Sequence, residues 1–281
     1  MADKENAKVK FRSTRPDLAS FAGLAVALGA LIGGLIMDGG KISDITQVSA
    51  AIIVLGGTLG AVMITSPLSS LISAAAGLKK VFFEAAINAE AAIDEMVGYA
   101  TKARKSSLIS LESDLENIDD PFLKKALTLA VDGTDLQELR SMLDLDLAQS
   151  EKKAETEAKV FEAAGGYSPT IGIIGAVMGL IQVMKHLENI DEVGKGIAIA
   201  FVATVYGVAA ANLFFLPSAN KLKSRAQKEV QLKELLIEGV VAIIEGMNPK
   251  LIRVKLEAFA SPSAKKQKAG AQKEAVEAAA G

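Results

Sequence analysis

Pro169 and Thr204 are the residues of the long apolar stretches whose types and setting suggest a polar path. Thr204 sets one hydroxyl in a stripe of small residues, with Ala200, Gly207 and Ala211 at helical spacing. Pro169 lacks an N–H, so a backbone carbonyl one turn earlier is freed. Taken singly, such a threonine often bonds back to its own helix, and small residues are ordinary packing. Together, a proline, a hydroxyl and a small-residue face make the wall of a polar path. A titrating group is missing from that wall. The four apolar stretches, about Leu18–Met37, Ile45–Thr65, Pro169–Met184 and Ile197–Pro217, contain no Asp, Glu, Lys, Arg or His. Ion relays inside membranes are normally built on a buried carboxylate or histidine, so any ion path here must borrow one from a partner. Zero Cys removes a disulfide framework, a thiolate metal site and a Cys nucleophile. The single histidine, His186, argues against His-rich zinc chemistry. With no nucleophile–base set and no Gly-rich phosphate loop, the reading is a non-enzyme without a cofactor.

The elements that must hold these residues follow from length. A bilayer core of roughly 30 Å takes about 20 apolar helical residues to cross, and each stretch meets that length or reaches it by extending at its ends. The sequence predicts an all-α integral membrane protein with four transmembrane helices and a large helical cytoplasmic domain. Composition agrees: of 281 residues, 50% are hydrophobic and 23% charged, with a net charge of -2, so charge is segregated rather than mixed. Near-neutrality speaks against nucleic acid. The first apolar run has full span length and is read as a span that stays. Lys4, Lys8, Lys10, Arg12 and Arg15 precede it, and Lys221, Lys223, Arg225 and Lys228 follow the last span. The positive-inside rule then puts both termini and the central block in the cytoplasm, and the short connectors Asp38–Asp44 and Lys185–Lys195 in the periplasm. The expected organisation is a cytoplasmic N-terminus over 1–17, two spans within 18–65, a helical loop over 66–168, two spans within 169–217, a C-terminal helix over 218–260 and a disordered tail over 261–281. The basic cluster after the last span is mainly a topology signal, with anionic-lipid contact secondary.

The central block reads as helix almost throughout. Helical spacing runs from Pro67 to Ala103, breaks at Ser106–Ser107, and resumes over Leu108–Ile118. Asp119-Asp120-Pro121 starts another helix, Gly133 ends it, and Thr134 or Asp135 caps the next. That one runs from Leu136 to Ala164 and meets Gly165-Gly166 before the third span. Ala219–Glu245 is amphipathic and is stopped by Asn248-Pro249. In the spans, Gly29 with Gly33, Gly56 with Gly60, and Gly175 with Gly179 are each four apart. For the first two spans the expectation is tight packing within one subunit.

Longer runs carry a resemblance. Gly165-Gly-Tyr-Ser-Pro-Thr-Ile-Gly-Ile-Ile-Gly-Ala-Val-Met-Gly-Leu180, Gly196-Ile-Ala-Ile-Ala-Phe-Val-Ala-Thr-Val-Tyr-Gly207, Ala211-Asn-Leu213 and Leu216-Pro-Ser-Ala-Asn-Lys-Leu222 resemble the flagellar motor stator A subunit family (MotA/PomA), within the MotA/TolQ/ExbB superfamily. The resemblance covers essentially all of the chain except the tail. TolQ and ExbB are less similar, having three spans and an outside N-terminus.

The resemblance implies a pentamer of A subunits around a dimer of B subunits (MotB-like). Each B subunit brings one span with an essential aspartate, the carboxylate missing here. Ions cross between that aspartate and the third and fourth spans of A, and the cytoplasmic loops push on the rotor protein FliG. Pro169 matches the family's third-span proline and Thr204 its fourth-span threonine. Ala103-Arg104-Lys105 through Leu111-Glu112 matches the rotor-facing charge pattern, with Ser106-Ser107 where many members have Gly or Glu. Arg104, Lys105 and Glu112 are the candidates for rotor contact, with Asp114 and Glu116 as company, because single surface pairs contribute only about 0–1 kcal/mol. Sodium-type members usually carry threonine seven residues after the proline; here that position is Ala176, as in proton-type members, so proton coupling is expected. The implied location is the bacterial inner membrane. His186 is expected to be exposed and Tyr206 to pack. The alternatives are a stator-like energiser of another machine (gliding, secretion or outer-membrane transport) and a stand-alone transporter, which would need internal repeats and a midplane polar site that the sequence lacks.

Overall fold

The computed structural model describes residues 12–259. Lys4, Lys8, Lys10 and the expected tail over 261–281 lie outside the described residues. The helices long and apolar enough to cross a membrane are α1, Leu18–Met37; α2, Val48–Thr65; and parts of two longer ones, Leu136–Lys185 and Ile190–Ile244. The chain divides into two compact units, one holding Arg15–Glu84 and Lys152–Ala226, the other holding Ala85–Glu151 and the segment from Gln227 onward.

The first unit carries the apolar helices. Asp17 caps α1, its carboxylate accepting from the Ser20 N–H at 3.1 Å, which satisfies a donor that the first turn leaves unpaired. No residue of α1 is buried within the chain, although Phe21 meets Phe82 with ring centroids 5.3 Å apart; a helix apolar all round and this exposed belongs in lipid or against another subunit. The second span begins three residues later than expected, because Ile45 closes a 3₁₀ turn (Ile42–Ile45) and Gln47 is extended. After it come α3, Leu68–Gly77, and the single turn α4, Lys79–Phe82. The helix expected through Ala103 is then interrupted: β1, Arg12–Pro16, pairs with β2, Phe83–Ile87. Ala and Glu in that stretch favour helix locally, but the ladder partner comes from the far side of two spans, where local propensity carries no information. Inside this unit, Ala50 and Val54 of α2 pack on Val202 and Ala203, and Val62, Ala74 and Val81 share a second cluster with Phe161, Ala164, Ala219 and Leu222.

The second unit is a helical bundle. It starts with α5, Ala89–Ser106, capped by the Asn88 side chain on the Ala91 N–H at 3.1 Å. A 3₁₀ turn (Leu108–Leu111) and the one-turn α6, Glu112–Leu115, stand where a longer helix is expected. α7, Pro121–Val131, has Pro in its first turn and Asp120 accepting from Phe122 and Leu123 N–H at 3.0 and 2.9 Å. Gly133, at φ 76°, takes the left-handed turn that ends it, and Asp135 caps α8, Leu136–Lys185, through the Gln137 N–H at 2.8 Å. The bundle core joins Met96 and Ala100 of α5, Leu123 and Leu127 of α7, Leu139 and Leu143 of α8, and Leu236 and Val240 of α9, Ile190–Ile244. α9 ends at Ile244, one residue before the expected Glu245, and Gly246 turns the chain at φ 68°. Asn248 instead caps the helix over 249–259 through the Lys250 N–H at 3.0 Å.

Candidate functional site

The third and fourth spans meet backbone to backbone. A Cβ at Gly207 would stand 2.6 Å from the Ser168 carbonyl oxygen, and one at Gly172 would stand 2.9 Å from the Ala203 oxygen and 3.4 Å from the Thr204 Cα. Two turns further along, a Cβ at Gly179 would fall 2.7 Å from both the Ala200 nitrogen and the Gly196 oxygen. Glycine is required at these positions because the facing atoms are main chain and cannot rotate aside. The contact brings Pro169, next to Ser168 on α8, and Thr204, one turn before Gly207 on α9, to neighbouring turns of facing helices. Ala176 lies further along α8, half-buried beside Gly175, whose added Cβ would meet the Ala203 methyl at 2.8 Å.

Pro169 sits inside α8, which continues unbroken through Gly165 and Gly166. The carbonyl freed by its missing N–H therefore belongs to Gly165, within the same helix. Thr204 donates to the Ala200 oxygen at 3.2 Å. Its proton is committed, so the hydroxyl offers lone pairs, which suit a water or a protonated carboxyl as donor. Two features absent from the sequence reading join this wall. The Ser168 hydroxyl is fully buried with no hydrogen-bond partner, and α9 loosens into a π-helical stretch over Ala210–Phe215, a bulge often found at functional sites. The Ser168 signal was in the sequence, beside the proline; the bulge had none.

Tyr206 does more than pack. Its hydroxyl donates to the Ile45 oxygen at 2.5 Å and accepts from the Gln47 N–H at 3.3 Å, tying the start of α2 to α9. The small pairs of the first two spans behave differently from those of the third and fourth: around Gly29, Gly33, Gly56 and Gly60 nothing lies within 4 Å of an added Cβ. The expected packing within one subunit is not there, and these faces are open. His186 is exposed, its Nδ1 3.1 Å from the Gln182 oxygen.

Just outside the first span, Asp17 is 7% exposed and meets Lys221 at 2.6 Å and the Arg225 guanidinium. The Lys221 hydrogen bond holds its carboxyl well below the usual carboxylate range, against burial and with help from Ser20 N–H and Arg225. Lys223 pairs with Glu162 at 2.6 Å. The cations after the fourth span thus spend their charge inside the chain, which leaves little for anionic lipid. Glu157, 3% exposed, accepts from Ser73 at 2.9 Å and Lys80 at 3.3 Å.

In the bundle, Arg104 and Lys105 occupy the last turn of α5 and Glu112 opens α6, all three exposed. Between them Ser107 holds φ 75° and ψ 162°, a conformation nearly reserved for glycine. Asp114 pairs with Lys102 at 2.7 Å.

Comparison with known proteins places these features in context. Residues 114–235 match the MotA/TolQ/ExbB proton channel family and residues 21–106 the motility protein A N-terminal domain. Motility protein A of Bacillus subtilis is 36% identical over 244 residues, 85% of this chain and 89% of that one. The Helicobacter pylori protein of the same name is 33% identical over 251 residues, 89% and 98% of the two chains. Among solved structures, C. jejuni MotAB superposes with a TM-score of 0.83 at 31% identity, covering 88% of this chain and 97% of that one. The flagellar MotAB stator complex from Bacillus subtilis gives 0.81 at 35%, covering 90% and 99%.

Proposed function

Because the chain belongs to the MotA/TolQ/ExbB proton channel family, alongside the motility A proteins, we propose that it is the A subunit of an ion-driven flagellar stator. With a MotB-like B subunit it forms a proton channel in the bacterial inner membrane and converts proton-motive force into torque. The observation that carries this reading is a tightly apposed wall, Pro169 and Thr204 on glycine-packed helices, with a hydroxyl turned acceptor and no titrating group in any span. A wall of that kind completes a path only against a partner's carboxylate. No catalytic chemistry is assigned to the chain.

Finer assignments extend the proposal. Pro169, Ala176 and Thr204 line the ion path, and both termini with the bundle face the cytoplasm. Five A subunits surround two B subunits, with the open faces of α1 and α2 available to neighbours or lipid. Arg104, Lys105 and Glu112 push on FliG. Sodium needs several oxygens after partial dehydration, whereas a proton needs a carboxyl and a hydroxyl or water chain; Ala176 supplies no oxygen beside Thr204, which favours protons. Swimming speed of cells carrying the chain with its B subunit is expected to collapse with a protonophore and to be unchanged when potassium replaces sodium at constant pH. Sodium-dependent rotation that survives the protonophore overturns the proton assignment.

A further inference from the structure

Beside Arg104 the bundle has an unfilled cavity of about 180 Å³ whose lining side chains are mostly apolar. Its walls come from Ala100 and Ala103 on α5, Leu108 beyond the turn, and Ile244 and Met247 at the elbow after α9, and Arg104 stands at it. The floor is rigid, since Ala100 and the adjoining Ile243 belong to the bundle core at 3% and 5% exposure. The gap exists because two helices stop abruptly here, α5 at Ser107 with φ 75° and α9 at Gly246 with φ 68°. Neither tight turn leaves a side chain to fill the space between.

We propose that this socket receives an apolar side chain from a helix of the rotor, and that a carboxylate about one turn away on the same helix pairs with Arg104. The charge at the mouth identifies the occupant. Arg104 has no ionic partner among the described residues, whereas Lys102, half a turn back, is already neutralised by Asp114 at 2.7 Å. A free cation over an apolar hole suits an apolar side chain flanked by Asp or Glu. The arrangement follows the physics of interface hot spots, where an anchor buried in a pocket supplies the affinity and a shielded rim charge supplies orientation. Exposed ion pairs by themselves are too weak to hold a load, and the socket provides the grip they lack. The proposal rests on the reading of this face as rotor-contacting, and its test keeps the two apart.

Ala103→Phe and, separately, Ile244→Phe fill the socket while leaving Arg104 in place. Each variant is co-expressed with the B subunit and scored for copurification, proton flux, swimming and binding of the purified rotor protein. The expected result is normal assembly and flux with at least a fivefold loss of rotor binding and a matching loss of swimming. Wild-type binding and swimming in both filled variants, beside failure of Arg104→Glu, overturns the socket and leaves the rotor reading standing. Indifference of all three variants overturns both. If the bulky residues prevent assembly, Met247→Cys settles the matter, because the chain has no other cysteine. Maleimide labelling of the assembled complex then fills the socket after folding; loss of rotor binding supports it, and unchanged binding at full labelling overturns it.

Discussion

A single added methyl tests what the glycines between α8 and α9 do. Gly207→Ala puts a Cβ 2.6 Å from the Ser168 carbonyl oxygen, and since neither side is a flexible side chain, the helices must part. We expect a loss of about 1–3 kcal/mol, read as a lower midpoint in thermal unfolding of the A–B complex, together with reduced proton flux. Gly60→Ala, with nothing within 4 Å, serves as the control: equal damage from it would show that the α8–α9 approach is not special. Pro169→Ala and Thr204→Ala are expected to cut flux while B-subunit copurification persists; wild-type flux in both would return these residues to ordinary packing. Asp17 offers a charge test. Asp17→Asn keeps a capping oxygen but strips the partner from Lys221 and Arg225, and breaking a buried pair typically costs about 3–5 kcal/mol. The carboxyl's pKa is depressed in the folded state, mainly by Lys221. Its stabilisation is therefore complete above the unfolded value of about 4 and fades as pH falls below it. An acid-unfolding profile of the wild type that the Asn variant reproduces unchanged would show that the pair contributes nothing.

At the scale of elements, the turn between α5 and α6 stores strain at an identifiable place. Ser107 sits in backbone space that costs a side chain about 1–3 kcal/mol. Ser107→Gly is expected to raise the unfolding midpoint, and Ser107→Val to lower it, with torque nearly unchanged in the glycine variant because the Lys102–Asp114 pair at 2.7 Å still pins the hairpin. A glycine variant no more stable than wild type would mean that the turn is relaxed. The long helices raise a related point. α8 runs as one helix through Pro169. α9 differs: its π stretch over Ala210–Phe215 interrupts the regular ladder just after Thr204 and Gly207, where a change in helical register can be accommodated.

For the whole molecule the decisive prediction is orientation. Reporters fused within Asp114–Asp120 and after Phe259 are expected to read cytoplasm, and one near Asp191 periplasm. A periplasmic signal from the bundle would sink the architecture, because the bundle's exposed charges would then face no rotor. The exposed apolar surface of α1, with no buried residue, and the open glycine faces of α1 and α2 mean that this chain alone leaves surface uncovered. That is consistent with a subunit whose remaining contacts lie outside itself.

The sequence by itself determined four membrane helices, their missing carboxylates and the helical nature of the bundle, because hydropathy and charge act locally and a span needs only its own residues. Caps at Asp120 and Asp135 and the stop at Gly133 were legible for the same reason. Tertiary structure decided everything that depends on a distant partner. β2 looked helical until β1 supplied its ladder. The small pairs of the first two spans looked like internal packing and proved open, while Gly172, Gly179 and Gly207 took the close approach. The burial of Asp17 against Lys221 and Arg225 joins residues more than 200 positions apart, and no spacing rule reaches that far.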